Sequence, residues 1–236
     1  MTRFSLVRFL TLILLVAPVW AQKSPSLYRV LMPGTFFEDS GPAAPGKGWL
    51  ALSTVNGQWQ LQATTVRAKR VLHPMSYSSN PSEPDALEIT SSVTNALLLL
   101  KIPGLISGKL QSVALTKPDP KSDAFYDGID PKGKPIALKL SGQNYLLRAD
   151  KTGYLRISSG EQDSPLGGSR INSKSADSES KTSADLVWAG DLNQDGGLDV
   201  IVRWSSLYSY SVCVFLSTGA SAQWRLGKPY CFDSSI

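Results

Sequence analysis

The chain has 236 residues, enough for one large β-domain or two small ones, and 42% of them are hydrophobic. Its formal net charge is +5, from 24 basic and 19 acidic side chains that are scattered along the chain. So mild an excess gives no reason to expect a nucleic-acid partner, and the basic run at 67–70 is typical of a solvated strand end or loop. The sequence contains no phosphate-binding glycine loop, zinc-ligand cluster or dinucleotide-binding motif.

Residues 1–21 have the pattern of a secretory signal peptide. Arg3 and Arg8 supply the positive charge, residues 9–16 form an apolar core, and cleavage is predicted after Ala21. The apolar run is shorter than the roughly 20 residues that a membrane-spanning helix needs, so we expect no transmembrane segment in the mature chain. An uncleaved N-terminal anchor is the alternative. The sequence therefore predicts a periplasmic or secreted protein.

The region from 22 to 118 is predicted to consist of short β-strands. Its clearest element is a hairpin, in which strands 49–55 and 58–66 flank Asn56-Gly57, the dipeptide that type I′ turns favour. A two-residue loop fixes the register and places Leu52 opposite Leu61 on one apolar face. Further strands are expected near 28–32, 87–90, 96–101 and 111–115.

The region from 119 to 236 begins with a predicted meander and continues through a long polar segment. The meander has strands at 136–140, 145–149 and 154–157. The segment 158–185 is rich in Ser, Gly, Lys and Asp, and it is predicted to be a flexible loop. Later strands are expected at 186–189, 200–204, 208–216 and 223–226. Because no segment has helical periodicity, we predict an all-β protein of antiparallel sheets in a β-sandwich-like arrangement.

A short acidic loop lies between the strands predicted at 186–189 and 200–204. Oxygen-bearing side chains recur along it, at Asp191, Asn193, Asp195 and Asp199. Ca²⁺ takes about 6–8 oxygen ligands, so alternate side chains turned inward could hold it. Gly196 allows a sharp turn, and the carbonyl of Gly197 could add a further ligand. The alternative is a solvated acidic turn that holds no ion.

An EF-hand does not explain this loop. That motif needs a bidentate Glu at loop position twelve, between two helices. Counted from Asp191, the twelfth position is Val202, and both flanking segments are strand-like. The loop is therefore expected to be a calcium-binding β-hairpin loop instead.

The segment Gly190 to Val202, with the sequence GDLNQDGGLDVIV, closely resembles the calcium loop of FG-GAP/VCBS-type repeats. Such repeats occur in integrin alpha chains and in many bacterial extracytoplasmic proteins. The resemblance implies calcium ligation by Asp191, Asn193, Asp195, the carbonyl of Gly197, and Asp199. It covers only about residues 186–204, and the chain has no second copy. Because a propeller needs several blades, we do not expect a full propeller.

Cys213 and Cys231 are the only two cysteines. An even number of cysteines in an exported chain favours a disulfide, which would tie the C-terminal tail to a strand. Neither cysteine has a nearby histidine or a second cysteine, so a metal or catalytic role is not expected.

Two classes of function remain open. The first is a non-enzymatic calcium-binding protein that meets a protein or a glycan at the cell envelope, with exposed aromatic side chains as one means of binding sugars. The second is a secreted, glycan-directed hydrolase with acidic residues in a cleft between the two β regions. His73 is the only histidine and is expected to be structural or exposed. The absence of a histidine-based catalytic apparatus favours the first class.

Overall fold

The computed structural model describes residues 29–37, 45–76, 84–115, 129, 134–167, 182–206, 209–218 and 224–235. These residues form sixteen strands and no helix, and every pairing between the strands is antiparallel. The all-β prediction is confirmed, and no closed propeller is present among these residues.

The strands form three sheets. The first sheet has seven strands in the order β1-β6-β3-β4-β5-β2, with β7 paired to β4. The strands of this sheet are β1 (Val30–Leu31), β2 (Gly34–Phe37), β3 (Gly46–Val55), β4 (Gln58–Val71), β5 (Ala86–Ser91), β6 (Leu98–Leu100) and β7 (Gly108–Lys109).

The second sheet has the order β16-β15-β14-β13-β8, and the third has the order β12-β11-β10-β9. The strands of the second sheet are β8 (Gln111–Ser112), β13 (Ser183–Asp191), β14 (Asp199–Ser205), β15 (Ser209–Phe215) and β16 (Tyr230–Ser235). The strands of the third sheet are β9 (Ile136–Leu140), β10 (Gln143–Ala149), β11 (Leu155–Ser159) and β12 (Gln162–Pro165).

The second sheet is the middle layer, and apolar side chains cover both of its faces. Ile201 packs into a core cluster shared with the first sheet, whereas its neighbours Val200 and Val202 pack into another cluster shared with the third sheet. Successive side chains of a strand point to opposite faces, so a strand buried on both sides has a continuous apolar sequence. This explains the uninterrupted apolar run in β14.

The predicted hairpin is confirmed in its register. Leu52 pairs with Leu61, Val55 pairs with Gln58, and Asn56 and Gly57 both have positive φ, at 51° and 77°. The prediction of one apolar face is too simple, because Trp49, which lies on the opposite face, is only 1% exposed. Strand β3 lies inside its sheet, between β4 and β6, and both of its faces are covered near Trp49.

The loop predicted over 158–185 is shorter than expected. β11 continues to Ser159, β12 occupies Gln162–Pro165, and β13 begins at Ser183. Leu166, which follows β12, is 2% exposed and belongs to the second core cluster. Residues 168–181 lie outside the described residues. The polar composition was a poor guide here, because strand pairing with β11 satisfies the backbone of β12 whatever its side chains are.

The last strand of the chain does not lie where the sequence predicts it. The strand predicted at 223–226 is reduced to one bridge, between Ser217 and Leu226, and Gln223 lies outside the described residues. The last strand is β16, which pairs with β15 along its length. Strand β8 precedes the predicted boundary at 118 but pairs with β13, so the two predicted β regions share a sheet.

Candidate metal centre in the acidic loop

The acidic loop joins the two central strands of the middle sheet. Strand β13 ends at Asp191 and β14 begins at Asp199, so these two carboxylates stand at the two ends of the loop. Asp191 is 8% exposed and Asp199 is fully buried. Between them the backbone turns at Gln194 and Gly196, which have φ values of 62° and 85°. The positive φ at Gly196 agrees with the sharp turn expected there.

Three of the predicted ligands are connected to one another by hydrogen bonds. The backbone N–H of Asp195 donates to Asp191 Oδ1 at 3.0 Å and to Asn193 Oδ1 at 3.2 Å. The amide Nδ2 of Asn193 donates to Asp195 Oδ2 at 2.9 Å. Two further backbone groups close the turn: the N–H of Gly196 donates to Asp191 Oδ2 and that of Gly197 to Asp195 Oδ1, each at 2.9 Å. Asp191, Asn193 and Asp195 are thus brought together, as the alternate spacing predicts.

Asp199 makes a different set of contacts. Its Oδ2 accepts hydrogen bonds from the backbone N–H groups of Leu192 at 2.6 Å and Asn193 at 3.2 Å. Its Oδ1 accepts one from the N–H of Ser217 at 2.6 Å. Burial raises the pKa of Asp199 to about 7, although these N–H donors favour the ionised form. Asp199 therefore anchors the loop to the start of β14 and to the segment after β15.

No cationic side chain compensates the loop carboxylates in the part of the chain that the structure describes. The ion pairs found there join Arg148 and Arg156 to Asp163, and Arg203 to Asp185. Backbone N–H groups are the loop's main source of positive potential. A buried carboxylate without a counter-ion disfavours its own ionised form, which agrees with the raised pKa of Asp199.

The chemistry of the donor set fits a hard cation, since all the side-chain donors are oxygens. A carboxylate offers about four lone-pair sites. Hydrogen bonds use two of these lone-pair sites at Asp191, two at Asp195 and three at Asp199. Each carboxylate therefore retains a lone-pair site for a bond to a cation. Within the described residues, however, no three His, Cys, Asp or Glu side chains are gathered closely enough to form a metal cluster by themselves. Asn193 and carbonyl oxygens would have to complete the coordination.

Residues from all three sheets meet at this loop. Tyr145 of the third sheet accepts a hydrogen bond from the backbone of Leu198, and its hydroxyl donates to Gln143 Oε1 at 2.8 Å. Burial, and next the negative charge of the loop carboxylates, raise the pKa of Tyr145. On the other side the Gln194 side chain lies against Gly108 of β7, 3.4 Å from the place where a Cβ would be. Tyr145 and Gly108 are distant from the loop in sequence, so no local signal predicts these contacts.

His73 has structural contacts. Its ring stacks on Phe37 with the centroids 3.9 Å apart, and its Nδ1 accepts a hydrogen bond from the backbone of Met75 at 3.1 Å. Its backbone N–H donates to Asp85 Oδ1 at 2.8 Å. Hydrogen bonds from Ser76 and from this N–H lower the pKa of Asp85. These contacts give His73 a role in holding the chain after β4.

Seven acidic residues outside the acidic loop, at positions 38, 39, 83, 85, 88, 119 and 123, are candidates for a hydrolytic pair by residue type, and no such pair is found among those that the structure describes. Asp85 is occupied by the turn at His73, and Glu88 lies opposite Lys69 in the β4–β5 pairing. The others, Glu38, Asp39, Glu83, Asp119 and Asp123, lie outside the described residues.

The C-terminal aromatics are mainly core residues. Trp188, Trp204 and Trp224 are each at most 3% exposed, and Tyr208 lies outside the described residues. These three side chains therefore fill the core, as is usual for aromatics in a β-domain, and they are not available to stack on a sugar ring. Their burial follows from the middle sheet, which is covered on both faces.

The predicted disulfide between Cys213 and Cys231 is confirmed. The two cysteines face each other directly in the β15–β16 pairing, with their Cα atoms 4.1 Å apart. The bridge encloses a sequence separation of 18 residues.

Comparison with protein-family models, with curated proteins and with solved structures gave no match. Within the described residues there is no helix with the length and apolar character needed to cross a membrane.

Proposed function

We propose that this chain is an exported, non-enzymatic β-protein in which one Ca²⁺ at the acidic loop has a structural role, and which binds a partner at the cell envelope. Asp191, Asn193, Asp195, the carbonyl of Gly197, and Asp199 would hold the ion, as in FG-GAP/VCBS-type repeats. The bound ion would supply positive charge to a loop whose carboxylates have no cationic partner among the described ion pairs. A periplasmic or secreted location accords with this proposal, because extracellular calcium modules bind at about 10⁻⁴–10⁻³ M.

The observation that carries the calcium proposal is the charge balance of the loop. Asp191, Asp195 and Asp199 lie in one turn, Asp199 is fully buried, and the ion pairs of the described residues leave all three out. A buried carboxylate without a counter-ion costs free energy, and a divalent cation bound beside it would offset that cost. The same loop contacts the first and third sheets through Gln194 and Leu198, so an ion there would stabilise the whole molecule.

The hydrolase alternative has no comparable support. A groove on the first sheet has no acidic residue among the described residues that line it. Glycoside hydrolysis in its common form needs two carboxyl groups on either side of the scissile bond.

Thermal unfolding of residues 22–236 in 10 mM calcium and in excess chelator tests the calcium proposal. A site with a dissociation constant of about 0.1 mM would gain about 2.7 kcal/mol at a hundredfold excess of calcium. For a chain of this size we expect a rise in melting temperature of about 5–10 °C. Magnesium at the same concentration should give a much smaller rise, because it loses its bound water reluctantly.

Asp195→Ala is expected to abolish this calcium-dependent rise. Asp233→Ala is the matched control, because Asp233 is exposed on β16 and its loss removes the same charge. For each variant, the melting temperature in calcium is compared with that in chelator, so that a difference in stability between the variants does not affect the result. If Asp195→Ala retains the full shift, or if the native chain has none, the ligand assignment is wrong.

A further inference from the structure

A groove of about 650 Å³ crosses the first sheet. It lies between the beginning of β3, the middle of β4 and the connection 101–107 that follows β6. Its volume is within the roughly 300–1,000 Å³ that is usual for small-molecule sites. It is remote in the chain from the acidic loop, and none of the predicted calcium ligands lines it.

An irregularity in strand pairing shapes this groove. Gly46 pairs with Val66 and Trp49 pairs with Thr64, so Lys47 and Gly48 together face only one residue of β4. The bulge requires a positive φ of 83° at Gly48, which glycine adopts without strain. Bulges redirect side chains and are frequent beside binding sites. Here the bulge places Lys47 at the rim of the groove, exposed to solvent.

The groove is cationic. Lys47 and Lys101 both line it, and none of the described residues that line it is Asp or Glu. The ammonium group of Lys101 lies 5.7 Å from the centre of the Trp49 ring, which positions it over the buried floor. The ion pairs found among the described residues use arginines elsewhere, so neither lysine is neutralised by one of them. Two lysines that have no acidic side chain beside them in the described lining favour an anionic ligand.

A set of hydroxyl-bearing residues, here called the hydroxyl row, lines the groove. Thr64 Oγ1 is within hydrogen-bond distance of Ser91 Oγ at 2.7 Å and of Ser92 Oγ at 3.0 Å. Thr64 and Ser92 line the groove together with Thr65 and Ser107. Each hydroxyl has both a donor and two acceptor sites, so such a row can match a ligand that carries hydroxyl groups itself.

Apolar residues also line the groove, among them Leu105 and Ile106. Ile106 is 57% exposed, which is unusual for so large an apolar side chain in this molecule. An apolar wall can cover the C–H face of a sugar ring, while the lysines and hydroxyls contact its polar groups.

We infer that the groove binds a small acidic saccharide, a sugar ring that carries a carboxylate, between Lys47, Lys101 and the hydroxyl row. The carboxylate would lie between the two ammonium groups, and the ring hydroxyls would exchange hydrogen bonds with Thr65, Ser92 and Ser107. This inference rests on the binding role proposed above, and none of the proposed calcium ligands lines the groove.

The test is an NMR titration of the ¹⁵N-labelled mature chain with sodium D-glucuronate, D-glucose and sodium acetate, each at up to 50 mM. Glucuronate should shift the amide signals of the groove, with an affinity at least tenfold higher than that of glucose or acetate. Lys47→Glu and Lys101→Glu should each weaken glucuronate binding at least tenfold. Lys139→Glu is the matched control, because Lys139 is exposed on β9 in the third sheet, and it should leave binding unchanged. High salt should weaken the binding, because it screens exposed charges.

Equal binding of glucose and glucuronate would overturn the assignment of an acidic ligand, and equal binding of acetate would overturn that of a saccharide. No shift at the groove amides with any of the three compounds would overturn the inference as a whole. If Lys101→Glu disturbs the contact with Trp49, Lys47→Glu still decides the outcome, since Lys47 is exposed. Each titration is repeated in calcium and in chelator, so that failure at the groove is distinguished from failure of the calcium proposal.

Discussion

At the scale of single residues, Gly190 is the position least able to accept a side chain. It lies in β13, directly before Asp191, and pairs with Ser112 of β8. A Cβ at this position would lie 2.7 Å from two atoms of the Trp188 ring and would collide with the backbone carbonyl of Gln111. Backbone atoms cannot move aside as the end of a flexible side chain can. The close approach of β8 to β13 therefore depends on a residue without a side chain.

We expect Gly190→Ala to lower the free energy of unfolding by about 1–3 kcal/mol, the usual cost of forcing extra volume into a packed core. Urea denaturation measures this change. Gly167→Ala is the control, since a Cβ there meets nothing within 4 Å, and we expect its effect to stay within about 0.5 kcal/mol. Equal stability of the two variants would mean that β8 does not pack against β13 as described.

Asp199 illustrates what the sequence predicted at this scale and what it did not. The alternate spacing of Asp191, Asn193 and Asp195 predicted that these side chains turn inward, and hydrogen bonds do connect the three residues. Asp199 was predicted to close the site, and calcium ligation by all four side chains remains a prediction. Its three backbone hydrogen bonds, one of them from Ser217, were not predictable, because they depend on the path of the chain after β15.

At the scale of elements, the disulfide joins β16 to a strand that is buried on both faces. Cys231→Ser should lower the free energy of unfolding by about 3 kcal/mol, because the bridge restricts the unfolded chain over 18 residues. A reductant should destabilise the native chain by a similar amount and leave the variant unchanged. Urea denaturation with and without dithiothreitol provides both comparisons.

The calcium-dependent shift should persist in Cys231→Ser, because the cysteines do not contact the acidic loop through any hydrogen bond described for it. A native chain that is insensitive to the reductant would show that the bridge contributes little to stability.

Strands with strong sequence signals were predictable, and those formed by pairing alone were not. The Asn56-Gly57 turn and the alternation on either side predicted β3 and β4 with their register, and 136–140 was predicted with the bounds of β9. By contrast, β12 has the sequence Gln-Asp-Ser-Pro, which has low intrinsic strand propensity. It forms because β11 provides a partner, and such long-range information is absent from local sequence.

At the scale of the whole molecule, the second sheet contributes side chains to both core clusters, whereas the first and third sheets each contribute to one. Leu99 of β6 belongs to the cluster between the first and second sheets, and Leu147 of β10 to the cluster between the second and third. Both side chains are fully buried. Neither outer sheet can lose its packing without exposing one face of β13, β14 and β15. The three layers are therefore expected to unfold together.

Leu99→Ala and Leu147→Ala test this cooperativity as a matched pair. Each should lower the free energy of unfolding by about 2–5 kcal/mol, from lost apolar burial and the cavity left behind. In both variants, tryptophan fluorescence and far-ultraviolet circular dichroism should report one coincident transition in urea. Leu146→Ala is the control, because Leu146 is the neighbour of Leu147 in β10 but is 45% exposed. If Leu147→Ala unfolds in two steps, with the first step confined to the third sheet, then that sheet is an independent layer and the acidic loop does not join it to the rest.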